Sequence, residues 1–261
     1  MHAMLSTAVM AAALFASSAP APAHAAGADE QASESRSVDA KVVKVQLGGI
    51  INLKLKQGAS PSLMLYGDKR LLAKVNVSQS GDTVQIDTDS RGWTFGQRGR
   101  QELRAELTLP ALAQFVSHGV GSSEIEGFSG KEVRYVLDGA GSVTVNSHYR
   151  NVSARLGGVG SMTLHTGDTD KVDLDLRGAG QIAIHGQCKR LRAELGGVGS
   201  LDARALRADA VELDMSGLGG ASVHATSSAN LRLSGLGSAT VYGNPANRAA
   251  TARGLGSVSW Q

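Results

Sequence analysis

From Lys41 to Gln261 apolar and polar residues alternate with a period of two, the period of a β-strand. Val152, Ala154 and Leu156 share one parity, followed by Gly158, Gly160, Met162 and Leu164. The same parity returns in Val172, Leu174, Leu176, Ile182 and Ile184, then in Leu191, Ala193, Leu195, Leu201 and Ala203. Each run is punctuated by a glycine–apolar–glycine phrase, and eight copies begin at Gly119, Gly139, Gly158, Gly178, Gly197, Gly217, Gly235 and Gly254. Successive first glycines are 20, 19, 20, 19, 20, 18 and 19 residues apart. A fixed period near twenty, filled with alternating residues, predicts stacked units. The pattern therefore predicts an all-β, single-stranded β-helix, a solenoid of about eight rungs of 19–20 residues over 117–261. Each rung holds two short strands joined by a glycine corner. The apolar residue between the glycines (Val120, Ala140, Val159, Ala179, Val198, Leu218, Leu236, Leu255) is expected to plug the interior of the corner.

Residues 41–116 alternate less regularly and predict a β part stacked on the first rung. Val43, Val45 and Leu47 are followed by a Gly48-Gly49 break and then by Ile51, Leu53 and Leu55. A turn at Gln57–Pro61 leads to Leu63 and Leu65, and Asp68 is placed to cap one helical turn over Lys69–Ala73. Val75–Val77 and Val84–Ile86 flank Ser80-Gly81-Asp82 as a hairpin, and Leu103–Leu109 is a further strand ending at Pro110.

The order of motifs here carries a resemblance. It runs Leu53-Lys54-Leu55-Lys56-Gln57-Gly58, Leu65-Tyr66-Gly67-Asp68, Gly81-Asp82-Thr83-Val84-Gln85-Ile86, Leu107-Thr108-Leu109-Pro110 and Gly119-Val120-Gly121-Ser122. It resembles the bacterial family described as putative auto-transporter adhesin, head GIN domain, over about Lys41 to Gln261. The resemblance implies a β-solenoid exported to the envelope or surface, with no established enzymatic activity and no catalytic residues to transfer.

The start of the chain adds an address. Met4–Ser18 is short and mostly apolar, and Ala23-His24-Ala25 offers a small-x-small cleavage site, so 1–25 reads as a signal peptide. Export to the periplasm or cell surface follows. Residues 26–40, small and polar, read as a disordered linker. No later apolar run approaches the roughly 20 residues of a spanning helix. The formal net charge of +3 gives no reason to expect nucleic acid as a partner. The single Cys188 cannot form an internal disulfide; an odd Cys in an exported protein can be a free thiol or an intermolecular link, but it reads first as an inert, semi-buried residue of a connecting turn.

Stacked rungs turn repeated positions into columns about 4.8 Å apart. A serine follows most corners (Ser122, Ser142, Ser161, Ser200, Ser238, Ser257) and reads as a structural hydroxyl ladder. His165 and His185 fall in one outward column, close enough to share a metal ion, although Arg204 follows them and no Cys or carboxylate completes a site. Asp173, Asp175, Glu194, Glu212 and Asp214 colour one face, ringed by Arg155, Arg177, Arg192 and Arg232. That face reads either as an intercalated salt-bridge surface or as a shallow site for Ca²⁺ or a polar polymer. Apart from that Ca²⁺, no cofactor is expected. The loop Arg91–Arg100 gathers Trp93, Phe95, Arg98 and Arg100, side chains suited to stacking on a sugar or to contact with an anionic polymer or membrane surface, or else to covering the core edge. The leading reading is a non-catalytic envelope binding module for a polysaccharide or surface protein. A carbohydrate-active enzyme using the acidic face, or a purely structural unit, are the alternatives. Self-association through the C-terminal rungs, ending at Trp260, is expected as well.

Overall fold

The computed structural model describes residues 31–89 and 102–261. Strands carry about three-quarters of them. The order is β1 (Gln31–Arg36), β2 (Lys44–Leu47), β3 (Asn52–Gln57), β4 (Ser62–Asp68), α1 (Lys69–Leu72), β5 (Val75–Ser80), β6 (Thr83–Thr88), β7 (Arg104–Leu109) and β8 (Gln114–Ser117). The repeats follow as β9 (Val120–Leu137), β10 (Ala140–Leu156), β11 (Val159–Leu176), β12 (Ala179–Leu195), β13 (Val198–Met215) and β14 (Leu218–Leu233). Shorter strands close the series: β15 (Leu236–Tyr242), β16 (Asn247–Ala252) and β17 (Ser257–Trp260). The eight glycine corners bound about seven turns of a β-solenoid, as the period predicts.

Each long strand runs from one glycine corner to the next and pairs in parallel with the strands before and after it. Val159 of β11, for example, sits between Ala140 of β10 and Ala179 of β12, and Leu176 between Leu156 and Leu195. Register slips only at the second bend, as between His165 and Asp168, so the one- or two-residue variation in repeat length is absorbed there. The inward parity fills the core: Val172, Leu174, Leu176, Ile182, Ile184, Leu191, Ala193 and Leu195 are all buried. The two buried tyrosine hydroxyls are paired, Tyr135 Oη donating to Ser147 Oγ at 3.1 Å and Tyr149 Oη to the Leu112 carbonyl at 2.6 Å.

The corners explain the glycines. A Cβ on Gly139, Gly158, Gly178, Gly197 or Gly217 would lie 1.9–2.1 Å from the carbonyl oxygen of the corresponding glycine one rung earlier. On Gly141, Gly160, Gly180, Gly199 or Gly219 the distance would be 1.7–2.0 Å. Both columns therefore stack backbone on backbone with no room for a side chain. The residue between them ties the rungs together, since Val159 N–H donates to Gly139 O at 2.9 Å and Ala179 N–H to Gly158 O at 3.0 Å.

That geometry overturns the plug. The glycines occupy the inward parity, so the residue between them points out. Val120, Val159, Val198, Leu218 and Leu236 are 46–62% exposed, and Leu255 is 87% exposed. They form an apolar ridge along the corner.

The N-terminal part is built into the same stack. β2 pairs in parallel with β8, and β3 with β9. Gly49 O would stand 2.4 Å from a Cβ on Gly119, and Ile50 bridges to Val120. The Gly48-Gly49 break is thus another corner, and β2–β3 is a rung. Below it, β6 pairs with β2 and β7 with β3. The antiparallel strands β5 on β6, β4 on β7 and β1 on β4 then cover that end. α1 lies where expected, with Asp68 Oδ1 accepting from Arg70 N–H at 2.7 Å. Gln31–Arg36, within the stretch read as a disordered linker, is instead strand β1. The backbone ladder to β4 holds it, and Ala32 packs against the core. The polarity of its side chains suits an edge strand and hides it from an apolar pattern.

Gly160→Ala should be far more destabilising than Gly81→Ala. Both have positive φ (+151° and +59°), but a Cβ at Gly81 meets nothing within 4 Å whereas one at Gly160 strikes Gly141 O at 1.8 Å. The hairpin variant should lose about 1–2 kcal/mol in urea unfolding. The corner variant should lose several times that or fail to fold; equal losses would refute the stacking argument.

Candidate recognition surface

Reading across a rung from the charged face to the corner, the outward columns follow in order. Ser153, Asp173, Arg192, Glu212 and Asn230 stack in one, and Arg155, Asp175, Glu194, Asp214 and Arg232 in the next. The column immediately before the corner glycines holds Asp138, Gly157, Arg177, Gly196, Ser216, Ser234 and Arg253. Then comes the apolar ridge, and beyond it the serine column, in which Ser122 Oγ donates to Asn52 Oδ1 at 2.9 Å.

Four of the five carboxylates of the expected acidic face are engaged by neighbouring cations. Asp173 meets Lys171 at 2.8 Å, Asp175 meets Arg177 at 2.9 Å, Glu194 meets Arg192 at 2.8 Å and Asp214 meets Arg232 at 3.4 Å. Glu212 stacks between Arg192 and Asn230. Intercalated ion pairs therefore describe this face, and a Ca²⁺ ion would have to displace arginine or lysine to reach the oxygens. Such exposed pairs add little stability; their effect is to hold long side chains in fixed rows.

Between these rows and the corner lies a groove of about 790 Å³. Three guanidinium groups (Arg177, Arg232, Arg253) and three carboxylates (Asp175, Glu194, Asp214) line it, together with Ser216, Ser234 and Thr251. Leu195, Met215 and Leu233 contribute an apolar floor. Sequence reasoning found most of these charges but missed Arg253 and the serine pair. Counting back one residue from each first glycine would have found them.

His165 and His185 do come together, with ring centroids 4.7 Å apart and planes 15° from parallel. Stacked rings direct their nitrogen lone pairs side by side rather than onto one point, which is poor geometry for a shared ion. Among the described residues no group of three or more His, Cys, Asp or Glu is placed to hold a metal. On the next rung Arg204 is committed to Asp202 through two hydrogen bonds, at 2.9 and 2.6 Å, which hold the Asp202 carboxyl below its ordinary pKa. Trp93, Phe95, Arg98 and Arg100 lie outside the described residues, as does the segment read as a signal peptide. No helix among the described residues is long and apolar enough to cross a membrane.

The family model described as "Putative auto-transporter adhesin, head GIN domain" matches residues 42–245. The chain belongs to this family. No curated protein matches it. Solved structures share the fold of this head GIN domain protein. A putative lipid binding protein from Parabacteroides distasonis superposes with a TM-score of 0.78 at 18% identity, over 88% of this chain and 96% of that one. A putative adhesin from Parabacteroides merdae gives 0.77 at 16% identity, over 89% and 96%. Another from Bacteroides fragilis gives 0.65 at 22% identity, over 90% and 98%. At these identities the likeness is one of fold.

Cys188 is buried on β12 rather than placed in a connecting turn, and burial, with Asp209 nearby, pushes its thiol up to about 12. A raised pKa keeps the sulfur protonated at neutral pH and removes the reactive thiolate. The folded protein should react with a thiol-directed disulfide reagent at pH 8 only at the rate of global unfolding, and at once in denaturant. Rapid labelling of the native protein would contradict the assignment.

Proposed function

We propose that this head GIN domain protein is a non-catalytic, exported binding module of the bacterial envelope, and that the mixed-charge groove beside the glycine corner is its recognition site. Export rests on the leader-like residues 1–25 and on the adhesin description of the family. The observation that carries the binding site is the composition of the groove: three arginines, three carboxylates and three hydroxyl side chains over an apolar floor.

Such a groove has no net charge, so it does not recruit by field alone. It offers fixed donors and acceptors in alternating rows, spaced one rung apart at ~4.8 Å. A hydroxylated polymer, whose groups both donate and accept, uses that arrangement better than a polyanion or a polycation would. A polysaccharide of the envelope or of a surface to be colonised is the ligand class we assign. The rigid ladder beneath supports the same reading, because preorganised side chains lose less entropy on binding.

The test is a glycan array probed with the chain from Ala26 onward, with and without Ca²⁺, beside Arg232→Ala, Arg253→Ala and Trp93→Ala variants. Binding should survive removal of Ca²⁺ and of Trp93, and fall about tenfold with either arginine variant. Loss with Trp93→Ala alone would move recognition to the 91–100 loop and overturn the groove. Degradation of a glycan would overturn the non-catalytic reading, and a blank array would overturn the ligand class.

A further inference from the structure

We infer that the corner ridge is a self-association surface, occupied by the ridge of a second copy of this chain lying antiparallel to the first. It goes beyond the binding function, although the edge of this surface shares Asp175 and Arg177 with the groove.

The ridge is an unusual thing to leave exposed. Val120, Ala140, Val159, Ala179, Val198, Leu218 and Leu236 stack in strict register. With Leu255 they run eight rungs, about 34 Å at ~4.8 Å per step. A continuous apolar stripe of this kind marks an interaction site. Glycines border it on both sides at almost every rung, so a partner can approach to the backbone without meeting side chains.

Its relief specifies the partner. From Val120 to Val198 the column reads Val, Ala, Val, Ala, Val: knobs two rungs apart, separated by alanine gaps. A complementary surface must carry knobs at the same two-rung spacing, displaced by one rung. The ridge itself meets that requirement when turned end for end. A two-fold axis crossing the ridge midway between the Gly158 and Gly178 corners seats each Val159 over the other copy's Ala179, and each Ala140 under the other copy's Val198. Val120 and Leu218 then extend the contact at either end.

The flanking charges select this register. Under the same axis Arg155 faces the second copy's Asp175, twice by symmetry. Arg155 makes only a long ion pair within its own chain, although Asp175 stacks beside it on the next rung. Its nearest carboxylate, Asp138, is 3.9 Å away, and its buried Nε makes no hydrogen bond. Asp175 commits Oδ1 to Arg177 at 2.9 Å. Opposite Arg177 the second copy presents Gly157, over which the Asp138 carboxylate of that copy lies. Moving the axis one rung one way sets Arg155 against Val136; moving it the other way sets Asp175 against Glu194, like against like.

The experiment is sedimentation equilibrium of the chain from Ala26 onward, up to about 100 µM, the range in which a modest interface assembles. The native protein should be a dimer. Val159→Asp with Val198→Asp, both at exposed positions, should weaken association by at least roughly tenfold while the melting temperature of the dilute monomer stays unchanged. Arg155→Glu should also weaken the dimer, and adding Asp175→Lys should restore it. A monomer at the highest concentration, or a dimer indifferent to the Val159/Val198 pair, overturns the inference. So does a monomer that binds phosphatidylcholine vesicles through those valines, since a lipid surface would then be the occupant.

Discussion

Everything in this molecule hangs on the contact between successive glycine corners. Two backbone columns pass within van der Waals distance of themselves, rung after rung, with no side chain between them. The amide of the intervening residue then donates to the carbonyl of the rung below at 2.7–3.0 Å. One constraint thereby sets three properties at once. It fixes the register of the parallel ladders, it excludes every residue but glycine from two positions at each repeat corner, and it forces the residue between them out into solvent.

The outward faces follow from that register. Because the ladders do not slip on the corner side, side chains nineteen or twenty residues apart in sequence become neighbours about 4.8 Å apart. Charges that would be scattered on another fold become rows, and like charges in a row need compensation. The chain supplies it two residues away on the same strand (Asp175 with Arg177, Glu194 with Arg192) or one rung away (Asp214 with Arg232). At the other bend, where register shifts, polar side chains turn inward and bond to backbone. Thr166 donates to the His185 carbonyl and Thr169 to that of Gln187. The irregular bend absorbs variation in length, and the regular corner carries the surfaces proposed for recognition.

The N-terminal end shows a different solution to the same problem. A parallel stack must be covered where it stops, since its last strands offer open backbone groups. Here the chain leaves the solenoid after β3, lays the antiparallel strands β4 and β5 and the single turn α1 against the end, and returns through β8 to the first repeat corner. Strand β1 lies on the outer side of β4 and forms its edge.

By itself the sequence determined the repeat, its period, the inward parity and the positions of the glycines, because each is a local rule written eight times over. The short elements with their own chemistry were equally legible: the Asp68 cap and the Gly81 hairpin appear where their residues ask for them. The parity also held the answer to the ridge, for if Gly158 and Gly160 face in, Val159 must face out. Tertiary structure decided the rest. That Gly48-Gly49 is a corner depends on β2 and β3 meeting β8 and β9 across an insertion no spacing rule spans. That a polar stretch before Lys41 is a strand depends on a free edge of β4 to receive it. Whether the acidic residues form a cation site or an ion-paired face depends on which arginine reaches which carboxylate. Side-chain geometry sets that choice among neighbours the sequence had already brought together.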